Sequence, residues 1–170
     1  MIDVNTFASL LKEIQKTYLN IKSANKMNNN DLKLFHSITS HLVREYSNKI
    51  KPLYISAEAQ KLINSIDYKK RGSFTVEPQS HGQLNDRNRR LREKGYSRPD
   101  GALNLDHLIE VKEITTKILN HNSETIKDIL LNDIKIALIT QKEHKSVKKK
   151  NGNWIVTYNS AGIKYSKIKW

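Results

Sequence analysis

The run from Pro99 to Lys112 constrains this chain more than any other stretch: Pro-Asp-Gly-Ala-Leu-Asn-Leu-Asp-His-Leu-Ile-Glu-Val-Lys. It is at once apolar, strand-like and dense in groups that hold a metal or move a proton. Its β-branched and apolar content predicts a strand from Leu103 to Ile114. A strand sends alternate side chains to opposite faces. His107 then falls with Ile109 and Val111, whereas Glu110 and Lys112 fall with Leu108. One strand thereby offers two chemically competent faces.

The chain before this stretch is mostly helical in pattern. Val4, Phe7, Leu10, Leu11, Ile14 and Tyr18 recur at helical spacing, with Asp3 or Asn5 in capping position. Leu32, Phe35, Ile38, Leu42 and Tyr46 predict a second helix from Asp31 to Lys49, and the polar break between the two makes a helical hairpin. Ser56 is placed to cap a third helix ending near Ile66. Gly72 to Val76 is short and β-prone. Asn85 and Asp86 open a basic helix carrying Arg87, Arg89, Arg90, Arg92 and Lys94, with Gly95 in the stop position.

After the central stretch, a helix is expected from Ser123 to Leu131, a buried strand over Ile134 to Ile139, and a helix capped by Thr140. Two β-prone pieces, Trp154 to Tyr158 and Ile163 to Ile168, flank Asn159-Ser160-Ala161-Gly162 and predict a C-terminal β-hairpin. The expected fold class is α+β. A helical hairpin region over 1–55 precedes an α+β domain over 56–170, the two reading equally as one continuous domain.

Composition narrows the partner. Thirty Lys and Arg stand against 17 Asp and Glu, a net charge of +13. Such a chain repels itself unless it meets a polyanion, and nucleic acid is the polyanion whose affinity comes from phosphate neutralisation. The alternative is a Lys-rich composition with no bearing on function. There is no cysteine, which excludes disulfides and a thiolate zinc site. Neither a signal peptide nor a bilayer-length apolar run is present, so a soluble, cytoplasmic protein with no membrane partner is expected.

At Asp106-His107-Leu108-Ile109 the chain resembles the opening of the HNH (ββα-metal) endonuclease motif, which reads Asp-His-Ile-Ile-Pro-Leu. The second half of that motif is an apolar run followed by a short helix with a His and basic residues. Ile134 to Leu138, then Thr140-Gln141-Lys142-Glu143-His144-Lys145 and Lys148 to Lys150, is similar to it. The resemblance spans Leu103 to Lys150. It implies a ββα-metal-like catalytic half that hydrolyses phosphodiester bonds in DNA, ahead of RNA; a phage or mobile-element nuclease, a restriction-type enzyme and a toxin read alike here. It also implies roles: His107 as general base, Asn132 as the residue orienting it, and Asp106 and His144 as ligands of Mg²⁺ or another divalent cation such as Mn²⁺. Glu110 stands where the family has Pro, and Lys135 where the Asn often sits. The basic residues Arg87, Arg89, Arg90, Arg92, Lys94, Lys145 and Lys148 are the expected nucleic-acid contacts.

Pro99-Asp100 followed by Glu110-Val111-Lys112 also resembles the PD-(D/E)xK nuclease signature. That resemblance implies a cation shared by Asp100 and Glu110, with Lys112 neutralising phosphate and Glu58 as an upstream acidic candidate. A third expectation is a nucleic-acid-binding protein without catalysis.

Overall fold

The computed structural model describes residues 3–67, 81–96, 102–121, 125–147 and 153–168. The fold is α+β: helices dominate the N-terminal half, and a four-stranded mixed sheet draws most of its strands from the C-terminal half. The chain divides into two compact units, both discontinuous: Met1–Ser47 with Ile109–Ile134, and Asn48–Leu108 with Lys135–Trp170.

The first unit is all helical. Its elements are α1 (Val4–Ser23), α2 (Asn29–Ser47), α5 (Val111–Asn120) and α6 (Ile126–Asn132). Asp3 caps α1 by accepting from Thr6 N at 2.9 Å. Phe7, Leu11 and Tyr18 of α1 are buried, as the spacing predicts, whereas Leu10 is exposed. In α2 the buried face is Thr39, Val43 and Tyr46. The predicted face is therefore rotated, since Leu32 and Ile38 remain exposed. Buried polar groups are satisfied locally: the Gln15 amide donates to the carbonyls of Ile118 and His121, and the hydroxyls of Ser40 and Thr115 lie 3.0 Å apart.

The presence of α5 corrects the long strand expected over Leu103 to Ile114. The strand stops at His107, and Val111, Ile114, Thr115, Ile118 and Leu119 form one buried helical face. That spacing is helical, and burial along a 3.6-residue period overrode β-branched content.

The second unit holds the sheet. Its strands are β1 (Tyr54–Ser56), β2 (Leu103–His107), β3 (Ile136–Thr140) and β4 (Tyr165–Lys167), in the order β2-β3-β1-β4. β3 pairs antiparallel with β2 and parallel with β1, and β4 pairs antiparallel with β1. α3 (Ala57–Asp67) and α4 (His81–Glu93) pack on one face, where Ala59, Leu62, Ile63, Leu84 and Leu91 meet Ile55, Leu103 and Leu138. The other face gathers Ala137, Ile139, Tyr158 and Ile163, with Tyr54, Trp154 and Tyr165 around them. α7 (Gln141–Ser146) and α8 (Trp154–Ser160) complete the unit.

α8 replaces the first strand of the expected C-terminal hairpin. Five β-prone residues, Trp154 to Tyr158, form a helix because both its ends are fixed. The Asn153 side chain accepts from Val156 N. At the other end Gly162, at φ +69°, donates to Asn159 O while Ile163 donates to Tyr158 O. That is a Schellman stop, which needs the left-handed conformation glycine adopts freely. Among the described residues no helix is long and apolar enough to cross a membrane. Gly72 to Val76 lies outside the described residues.

Candidate functional site

The site grows from the end of β2. Asp106 pairs in register with Ala137, so its side chain shares the sheet face of Tyr158 and Ile163. A carboxylate on an apolar face is costly unless hydrogen bonded. Tyr158 Oη donates to Asp106 Oδ2 at 2.5 Å, and His144 Nδ1 lies 3.2 Å from Oδ1. The Asp106 side chain is 6% exposed against 46% for His144, so the pair runs from the interior to solvent.

α7 brings His144 there. Gln141 N donates to Ala102 O at 2.7 Å, which ties the start of α7 to the residue before β2. Thr140 caps the helix by accepting from Glu143 N at 3.1 Å, and Glu143 returns a carboxylate oxygen to Thr140 N at 2.8 Å. This reciprocal capping box satisfies two amides that a helix start leaves open. The same Glu143 oxygen accepts from Ser56 Oγ at 2.6 Å, and Ser56 Oγ accepts from Ala59 N at the start of α3. The residue before His144 is thus anchored to two helix starts. A cleft of about 510 Å³ opens beside this anchor, lined by Glu58, Thr140, Lys142, Glu143, Ser146 and Gly162 among others.

Electrostatics keep the proton on the tyrosine. Burial, reinforced by the Asp106 charge and hydrogen bond and by Glu143, pushes the Tyr158 phenol far above its usual range. Tyr158 is therefore a fixed donor and Asp106 a fixed acceptor at that contact.

The expected site residues are distributed as follows. Asp106 and His144 are brought together. His107, in register with Ile136, is directed to the opposite face of the sheet, the side of Leu103 and Leu105, and its Nε2 is buried. Asn132 is an exposed residue closing α6 in the helical unit. Glu110 is the N-cap residue of α5 and Lys112 lies in its first turn, so the strand face they were expected to share does not form. Asp100 lies outside the described residues, as does Lys148.

The basic residues sit mainly on α4. Asn88 fastens this helix to the sheet edge, accepting from Leu103 N at 2.6 Å and donating to Leu103 O at 3.1 Å. Arg89, Arg90, Arg92 and Lys94 are exposed and Arg87 is half-buried. Arg89 pairs with Glu93 at 2.7 Å, and Lys94 reaches the Ser65 carbonyl. Lys145 is exposed next to His144 on α7.

Tyr158 is the site residue that the sequence pattern does not single out; it falls there in a β-prone piece of the expected hairpin. The signal lay in the Trp154–Tyr158 spacing between Asn153 and Gly162, which fits a short capped helix, and in the rule that a buried tyrosine hydroxyl finds a partner.

Two ligands bound side by side to one cation lie about 3.0–3.4 Å apart when each bond is about 2.1 Å. The 3.2 Å between Asp106 Oδ1 and His144 Nδ1 falls in that span. Among the described residues no group of three His, Cys, Asp or Glu side chains gathers, so this pair would contribute two ligands. Compared with known families, curated proteins and solved structures, the chain matches none.

Proposed function

We propose that this chain is a metal-dependent endonuclease that hydrolyses phosphodiester bonds in DNA, with its reactive centre at Asp106 and His144, the two metal ligands of the HNH expectation without its His107 base. The observation that carries this reading is the 3.2 Å approach of His144 Nδ1 to Asp106 Oδ1, made by a helix that follows an antiparallel strand pair. The order of elements is β2, β3, α7, with α5 and α6 inserted between the strands. Mg²⁺ or Mn²⁺ held by this pair would polarise a phosphoryl oxygen and acidify a water. The net charge of +13 and the exposed Arg90, Arg92 and Lys145 favour a polyphosphate substrate in the cell interior. His107 is not the base in this proposal, because β2 turns it away from the pair.

The test is nicking of supercoiled plasmid with added Mg²⁺ or Mn²⁺. Wild-type protein nicks and His144→Ala does not. Nicking that survives both Asp106→Asn and His144→Ala sinks the reading. A second reading, a nucleic-acid-binding protein without catalysis, draws on one observation: only two ligating groups meet at the centre among the described residues. It predicts steeply salt-dependent DNA binding with no metal-stimulated cleavage.

A further inference from the structure

Asp106 has two carboxylate oxygens, and the fold treats them differently. Oδ2 accepts from the Tyr158 hydroxyl, whereas Oδ1 faces His144. The tyrosine is fully buried and cannot swing aside. Trp154 packs edge-on to its ring at 5.5 Å, Tyr165 likewise at 5.8 Å, and the Schellman stop at Gly162 begins on its own carbonyl. Rigid rings fix the phenol oxygen, and the phenol oxygen fixes the carboxylate plane.

We propose that Tyr158 is the positioning residue of the centre: by occupying Oδ2 it holds Asp106 to one-oxygen engagement and presents Oδ1 to His144. This rests on the reading of Asp106 and His144 as the reactive pair. In the metal-free protein the consequence is an oriented imidazole, with Nδ1–H donating to Asp106 Oδ1. Were a cation held, Asp106 and His144 would be the residues to hold it, and Tyr158 would keep Oδ1 turned towards it. Partners one step behind a ligand typically set metal affinity or activity by about 10- to 100-fold.

The experiment uses the full chain, Tyr158→Phe, and Tyr165→Phe as a control. Tyr165 belongs to the same aromatic cluster. Imidazole ¹⁵N and hydroxyl ¹H NMR are recorded without metal, and Mn²⁺ alone is titrated by water-proton relaxation. Wild type should show a slowly exchanging Tyr158 hydroxyl proton and a His144 ring protonated at Nδ1. Tyr158→Phe should lose the signature of the His144 Nδ1–H···Asp106 hydrogen bond and bind Mn²⁺ about 10- to 100-fold more weakly. Tyr165→Phe should change neither.

Wild-type His144 signals together with wild-type Mn²⁺ affinity in Tyr158→Phe would overturn the proposal. So would the absence of the protected hydroxyl in wild type, a measurement that needs no variant to fold. A wild type that neither binds Mn²⁺ nor nicks DNA defeats the nuclease reading alone, while the NMR comparison still decides the role of Tyr158.

Discussion

On one face of the sheet Leu103, Leu138 and Ile55 meet the apolar sides of α3 and α4, and the fold closes over them. On the other, an apolar cluster of the same kind is breached by Asp106, which reaches solvent through His144. The two faces share strands and register, so backbone geometry does not separate them. What separates them is where polar groups are anchored. Ser56, Thr140 and Glu143 hold α7 in place, and Tyr158 holds the carboxylate from behind. A buried charge is tolerated where preset partners surround it.

The largest effect that could break this contrast is catalytic. Asp106→Asn and His144→Ala should each lower the single-turnover nicking rate by about a thousandfold or more, as removal of a group acting on the reacting atoms does. His107→Gln, on the closed face, should retain most of the rate. The reverse ranking would place the active surface on the side of α3 and α4 and overturn the contrast. A core change on the closed face should act on stability instead. Leu138 is fully buried, and Leu138→Ala should cost about 2–5 kcal/mol in urea unfolding while the surviving folded protein keeps its rate.

A smaller perturbation sharpens the comparison. Thr140→Ala removes half of the capping box, which should cost about 1 kcal/mol of stability. Because Glu143 loses its alignment and His144 follows it, the nicking rate should fall beyond what unfolding accounts for. A rate that tracks the folded fraction alone, measured by circular dichroism beside activity, would show α7 to be positioned without its cap.

Much of this was legible in the sequence. Asp3, Ser56 and Thr140 announce helix starts and Gly95 a helix stop, since capping is local chemistry. The approach of Asp106 to His144 was legible too, through spacing that resembles a nuclease motif. Two segments were not. Val111 to Ile114 and Trp154 to Tyr158 are rich in β-branched or aromatic residues, yet both are helices. In α5 a buried helical period outweighed local propensity, and in α8 the cap at Asn153 and the stop at Gly162 did. The strand-to-helix change after His107 removed the face that Glu110 and Lys112 were expected to share. Tyr158 was hidden for the same reason, as a residue read on a strand that stands on a helix.

The smallest expected effect concerns α4, whose exposed arginines lie on the helix that Asn88 fastens to the edge of β2. An arginine that neutralises one phosphate should, when removed, flatten the dependence of log binding constant on log salt by about 0.9. Arg90→Ala and Arg92→Ala should each do so by about that amount, read by fluorescence anisotropy of labelled duplex across a salt series. The effect should be alike on unrelated sequences, because arginines on phosphates position a protein without reading bases. Arg89 makes a useful contrast. Its guanidinium already pairs with Glu93 on an exposed face, an ion pair worth little in itself. If that pair persists on DNA, Arg89→Ala should change the slope less than Arg92→Ala. Equal slopes for all three variants and wild type would mean that the basic helix never meets phosphate. The positive charge of this chain would then be compositional, and substrate capture would fall to α7, where Lys145 adjoins His144.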